Sequence, residues 1–272
     1  MAQASDYTID NSTGANVRAD INNVLQAIAT NNSGSSAANT TFASGFFANT
    51  STSMMQLRNT SNNAFLNLFS LAGGPAFPID GTINSVNIGK GANSIAGNTV
   101  LGEGALDASV SGGNNTAVGK DTLTANTTGT DNTAVGSGCL DANTTGLRNT
   151  AIGVNTLSAN TIANNNTALG QGSMFLTTEG EENTAVGKSA LDANTTGNNN
   201  TAVGKDALGA LTTASGNTAV GHSAAAANTT GTGIVALGKN SLLSNTTGTQ
   251  NVAVGQNALD ANTEASNNVA VG

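Results

Sequence analysis

The chain has 272 residues, of which 34 are Gly, 41 Asn and 39 Thr, while charged residues make up 9% and aromatics 3%. An ordinary enzyme of this length carries roughly a quarter charged residues around an aliphatic and aromatic core, so a conventional two-layer core is excluded. With little charge and two prolines the chain does not read as disordered either. What remains is repetitive β structure dominated by its backbone. A net charge of -8, with eight Lys and Arg in no basic run, argues against a nucleic-acid partner. One Cys gives no disulfide framework. No window approaches 18 apolar residues, so no membrane insertion is expected. Met1–Asp6 lacks a basic and an apolar region, so no signal peptide is expected.

In chain order, Val17, Ile21, Val24, Leu25 and Ile28 fall at helical spacing and predict an amphipathic helix over about 16–30, ended by Asn31-Asn32-Ser33-Gly34. Three short apolar stretches follow, around Phe42–Phe47, Met54–Leu57 and Phe65–Phe69, separated by Asn, Ser and Thr. They predict a small β-meander over about 42–69. Six of the seven Phe lie between 42 and 77, which marks residues 1–71 as a separate α+β domain. Residues 72–81, containing Pro75 and Pro78 among glycines, read as a linker. Residues 82–97 read as an irregular lead-in.

From 98 to 272 the chain repeats. A glycine recurs from Gly102 through Gly119 and Gly136 to Gly255 and Gly272, always at an interval of 17 residues. The unit is Asn-Thr-Ala-Val-Gly-x-x-Ala-Leu-x-Ala-Asn-Thr-Thr-Gly-x-x. The residue before the glycine is always Val, Leu or Ile, and the one before that is Ala except at Val100. A large apolar residue, as at Leu106, Leu123 and Met174, usually stands four places after it. A strict period without length drift means one coil per unit, stacked as a parallel β-roll or β-solenoid, because an inserted residue would break the ladder. Thr-Ala-Val-Gly is the strand. Ala-Asn-Thr-Thr-Gly is the turn, with Asn and Gly offered for positive φ. Stacked Asn115, Asn132 and Asn149 suit ladders of amide hydrogen bonds.

Along a strand successive side chains face opposite ways, so the Ala and Val of each unit point apart. Both are apolar, and a strand apolar on both faces is buried on both. A narrow coil has room inside for one. The expectation is that Val packs inside, that the small Ala and Gly meet sister chains, and that three rods join in an intertwined or side-by-side homotrimer.

Two resemblances follow from these residues. Val17–Ala27, with Asn31–Gly34 and the Arg58-Asn59 turn, resembles the N-terminal module of tail-fibre proteins of cyanobacterial phages, with Phe46, Phe47 and Phe65 standing where that family usually has Trp. The resemblance implies that residues 1–71 attach to a phage tail adaptor or nozzle protein. The Asn-Thr-Ala-Val-Gly-x-x-Ala-Leu unit is similar to the β-roll heads of trimeric autotransporter adhesins and to phage-fibre repeats. It implies a trimeric fibre, assembled in the host cytoplasm and carried on the virion. Its host receptor would be bound through a distal region beyond Gly272, since the last unit stops without a cap.

Residues with chemical potential are few. His222, the only histidine, stands where other units have Lys120, Lys188 or Gln256 and reads as an exposed repeat position without triad partners. Cys139 stands where others have Thr122 or Ala190 and reads as a small buried thiol. Asp107, Asp141, Asp192 and Asp260 share a repeat position, but Thr124, Ser158 and Gly209 interrupt it, and no metal or cofactor is expected. Glu179-Gly180-Glu181-Glu182 reads as a solvated turn. No residue stands out as catalytic and no enzyme is expected. Two other functions compete with the fibre: a Thr-rich binding module, ice-binding or another adhesin, built on pairs such as Thr127-Thr128 and Thr144-Thr145, and a polysaccharide-degrading tailspike, which needs paired carboxylates in a groove.

Overall fold

The structure is a computed structural model that describes residues 85–272, apart from Val110, and the backbone of five strands before them. The chain divides into two compact units, Met1–Ile79 and Asp80–Gly272. In the first, β1 (Ser33–Gly34), β2 (Phe46–Asn49), β3 (Met54–Arg58) and β4 (Phe65–Ser70) form one sheet in sequence order. β2, β3 and β4 make an antiparallel meander with Phe46 opposite Leu57, and β1 runs parallel to β2. The helix expected over 16–30 lies outside the described residues.

The second unit is a parallel β-solenoid of about ten turns. Its sheet opens with β5 (Gly81–Ile83) and β6 (Val86–Gly89), which pair antiparallel, and β6 pairs antiparallel with β7 (Thr99–Gly102). The segment read as an irregular lead-in is therefore an ordered antiparallel end of the sheet. The signal was masked because β6 and β7 are joined by a connection outside the repeat, with a single 3-10 turn at Ala92–Ser94. From β7 onwards every strand is parallel to the last, through β8 (Thr116–Val118) to β17 (Val269–Val271), and each residue pairs with the one 17 further on, as Thr150 with Thr167 and Ala151 with Ala168. At about 4.8 Å per rung this unit rises roughly 50 Å.

The inside of the coil is the reverse of the sequence expectation. The Ala row is fully buried from Ala117 to Ala253, while the aliphatic row beside it faces outward, with Leu169 43% and Ile152 38% exposed. Alternation was read correctly but its sense was not. The interior already holds the leucine four places after each glycine, buried to 0% at Leu106, Leu123, Leu140, Leu157, Leu191, Leu208 and Leu242. With that bulk inside, the strand's inward position holds a methyl on every repeat rung after the first, where Val100 is buried instead.

The turns hold a second correction. Positive φ is absent from Asn126 and Gly129 of the Ala-Asn-Thr-Thr-Gly segment. The left-handed conformation falls instead on three other columns: one from Asn114 and Asp131 to Asn267, one from Gly104 and Asp121 to Asn257, and the inward leucine itself, where ten residues, from Leu106 to Leu259 and including Met174 and Ala225, have φ between 49° and 52°. That conformation costs a non-glycine residue about 1–2 kcal/mol. Burying a leucine gains about 1.5–3 kcal/mol, so the strain is offset where the side chain is enclosed. Gly129 serves another purpose, since a Cβ there would stand 2.5 Å from the carbonyl oxygen of Gly146 on the next rung. The repeat glycine needs both freedoms: Gly187 has φ 135°, and a Cβ on it would stand 2.6 Å from the carbonyl of Gly204.

Two asparagine ladders cross the interior. In the first, Asn115, Asn132 and Asn149 are fully buried. Each backbone N–H donates to the Oδ1 of the Asn one rung earlier, Asn132 to Asn115 at 3.0 Å and Asn149 to Asn132 at 2.9 Å. Each Nδ2 also donates to a carbonyl across the coil, as Asn132 to Gly146 at 2.8 Å. The amide thus satisfies turn groups that the strand ladder does not reach, which a buried polar interior requires. In the second ladder Asn143 and Asn160 each donate 2.8 Å to the Asn before them. It breaks at Thr177, and there the Oδ1 of Asn160 and the hydroxyl of Thr177 are left buried without a partner.

The gap predicts that Thr177→Asn stabilises the chain by about 1–3 kcal/mol, since a buried unsatisfied acceptor costs that much. Thermal melting should show a gain of roughly 2–6 °C. Gly187→Ala should cost about 3 kcal/mol or more in the same assay, from strain and collision together. Gly209→Ala should change stability by under about 0.5 kcal/mol. Gly209 lacks a positive φ, a Cβ there has no neighbour nearer than 3.3 Å, and Ala226 fills the same place one rung on.

Candidate self-association face

The strand side of the solenoid is its most regular surface. Rung after rung presents an outward Thr, a buried Ala and an outward aliphatic residue, as in Thr133-Ala134-Val135 and Thr201-Ala202-Val203. Eight threonines in register, from Thr99 to Thr218, continue as Val235, Val252 and Val269. Beside them runs the row from Leu101 through Ile152 and Leu169 to Val254, half-buried or exposed. Strand pairing holds these residues at one spacing and one height. The face is thus a regular array of methyl groups and hydroxyls, and the hydroxyls of Thr116–Thr218 in this row have no partner among the described residues.

Charge is confined to the flanks. Two residues after the aliphatic row come Lys120, Lys188, Lys205, His222 and Lys239, all exposed. Lys120 lies 3.6 Å from Glu103, and Lys205 pairs with Asp206. His222 Nδ1 lies 3.0 Å from the Ser223 hydroxyl on the surface and has no carboxylate partner among the described residues. Two residues before the threonine row come Asn114, Asp131, Asn165, Glu182 and Asn199, also exposed.

The other residues flagged in the sequence are kept apart by the coil. Asp107, Asp141, Asp192 and Asp260 do share one column, but they are two, three and four rungs apart in turn, so about 10 Å is the shortest spacing. They are served locally, Asp107 by the Asn87 amide and Asp141 by the Ser158 hydroxyl, each at 2.6 Å. Among the described residues no three His, Cys, Asp or Glu converge as a metal site would need. Burial pushes the Asp192 carboxyl up, against opposing backbone hydrogen bonds, and the charge of Asp206 adds to the rise. Cys139 is fully buried, and burial pushes its thiol up. It donates to the Gly153 carbonyl and so behaves as the Thr122 and Thr156 hydroxyls at the same place. In the acidic turn, Glu181 accepts the Asn164 amide at 2.6 Å. The side chains of the Phe cluster at 42–69 lie outside the described residues. No described helix is long and apolar enough to cross a membrane.

Each threonine pair of the turn is tied down through one of its two members. The first members of the pairs lie in a column of nine threonines, from Thr127 to Thr263. Eight of these hydroxyls donate to the carbonyl of the next threonine in the column, as Thr127 to Thr144 at 3.0 Å and Thr229 to Thr246 at 3.0 Å. The strand row is a second set of threonines with free hydroxyls, beside the exposed second members of the turn pairs such as Thr128, Thr145 and Thr196. Its 17-residue register was visible in the sequence, but its outward aim depended on which side of the strand the leucine filled. Comparison with protein-family models, with curated proteins and with solved structures finds no match for this chain.

The raised Asp192 carboxyl predicts a pH-dependent effect. Because its folded pKa lies above the unfolded value, the group's favourable contribution is present at acid pH and is lost as the pH rises through the folded value. Asp192→Asn should therefore raise the melting temperature modestly at pH 7, and the gain should vanish near pH 3, where the carboxyl is protonated in both states.

Proposed function

We propose that this chain is a structural attachment protein: a phage tail fibre in which residues 1–71 anchor to a tail adaptor or nozzle protein and the solenoid projects towards the host for adsorption. The observation that carries the reading is the outward aliphatic row. It runs along the whole repeat, with Leu101 45% and Leu169 43% exposed in a single chain. Long contiguous apolar surface marks an interaction site. A surface that repeats every rung fits a partner with the same repeat, which a second and third copy of the chain supply. The proposed assembly is a homotrimer with these faces turned inward. The antiparallel end of the sheet at Gly81–Gly102 closes the solenoid where it follows the anchoring residues, which suits a rod held at that end. The host receptor would be met by a region distal to the repeat.

A second reading is favoured by the unpartnered strand threonines: a face that binds an ordered lattice such as ice. Thermal hysteresis of the purified chain tests it. The fibre reading expects none, because the same surface is covered by sister chains.

Sedimentation equilibrium of the full chain should give three copies at micromolar concentration. Val203→Lys, placed in the middle of the outward row, should leave the β circular dichroism intact and shift the chain towards the monomer. A wild-type monomer would remove the fibre. Antibody raised to the repeat should label the tail, and not the capsid, of virions that carry the protein.

A further inference from the structure

Away from the strand row and the last rung, the large apolar side chains exposed among the described residues are Val154, Ile162, Phe175 and Leu176, and all four fall on two consecutive rungs. The coil does not ask for them there. Ile162 stands where the adjoining rungs have Thr145 and Glu179, Phe175 where they have Ser158 and Asp192, and Leu176 where they have Ala159 and Ala193. Each of these three is between 40% and 49% exposed. Phe175 is the one aromatic side chain among the described residues.

Val154 borders the strand row, and the other three form one patch. Leu176 and Ile162 are three positions apart round the coil and one rung apart along it, which keeps their Cα atoms within about 12 Å. The half-buried Leu147 extends the patch, two positions and one rung from Ile162 and so within about 9 Å of it. Acids rim it. Asp192 lies one rung after Phe175 in the same column, and Asp141 lies two rungs before it. Glu179 lies one rung after Ile162, and Glu181 lies two rungs after Leu147 with Glu182 beside it. Arg148 is the one cation in these columns between residues 141 and 192.

We infer that this patch docks a segment of a partner protein in which apolar side chains are flanked by Lys or Arg. Adjoining apolar residues exposed where the repeat uses small or polar ones mark a contact surface, and aromatic side chains are enriched at the centres of such surfaces. The rim selects the partner. Facing lysines or arginines would pair with the carboxylates, and a cation over the Phe175 ring would gain from its negative face. Patch against patch, two copies of the chain would set acid against acid, which disfavours that contact. An anionic lipid surface is repelled for the same reason. The patch lies off the strand row and does not depend on the self-association proposed above.

A variant of the full chain that returns the patch to residues of the adjoining rungs tests this: Ile162→Thr, Phe175→Ser and Leu176→Ala together, which should keep the β circular dichroism. Should that signal be lost, Phe175→Ser alone gives the same comparison. The probe is a fluorescent synthetic peptide of leucine and lysine, with two controls in which serine replaces leucine or glutamate replaces lysine. By fluorescence anisotropy at low salt, the wild-type chain should bind the leucine-lysine peptide about tenfold more tightly than the variant does, and more tightly than it binds either control. Glu179→Thr, which matches Thr196, should weaken binding several-fold and lessen its dependence on salt. Equal binding by wild type and variant, or a glutamate peptide that binds as tightly, would overturn the docking site. So would a lower sedimenting mass of the variant, which would make the patch a contact between copies, or binding to phosphatidylcholine vesicles that the variant loses, which would make it a lipid contact. A wild-type chain that sediments as a monomer would remove the fibre and leave the docking site standing.

Discussion

Every residue of the repeat lies on the residue 17 positions before it, at the spacing of hydrogen-bonded strands. This stacking of like on like governs the rest of the structure. A side chain in the solenoid has to tolerate its own kind about 4.8 Å above and below. Amides do so by donating to one neighbour and accepting from the other. Leucines and alanines do so by contact. Stacked buried charges would repel, and among the described residues the buried polar side chains are all Asn, Ser or Thr. The low charge of the chain follows from that constraint, as does the absence of insertions across ten intervals.

The same constraint lets strained conformations persist. A lone left-handed leucine in a loop would relax. Here Leu191 at φ 52° is held by its N–H donating to Ala207 at 3.1 Å and by a side chain enclosed to 0% exposure. Its equivalents on the rungs above and below are held alike. Departures are felt on the neighbouring rung: Thr177 strands the Asn160 oxygen, whereas Ile234 still donates its N–H to Asn217 at 3.1 Å and keeps the backbone part of its ladder. A coil so determined by its neighbours presents one regular outward face, the feature on which the proposed fibre rests.

The solenoid was legible because its evidence is arithmetic. The interval of Gly102 to Gly272, the leucine column and the stacked Asn115, Asn132 and Asn149 each lead from sequence to coil, interior and ladder without knowledge of the fold. Two features were misread from the same residues. Alternation of Ala134 and Val135 gives the parity of the strand, and parity is the same whichever row points in. The turn was assigned its positive φ from the preferences of Asn and Gly, while the coil takes that conformation at other Asn and Gly positions, such as Asn114 and Gly138, and also on leucine, against its preference. The ordered end at Gly81–Gly102 escaped notice because antiparallel pairing leaves no period to count.

The sequence by itself determined the period, the strand in each period and the chemical character of each column, since these depend on residue types at a fixed interval. It also contained the charges that distinguish the two flanks of the face. Only the tertiary structure decided which columns share the inside, because that depends on how many side chains of what volume fit within one closed coil. With leucine and two asparagines already enclosed on most rungs, alanine completes the interior and valine is turned to the surface.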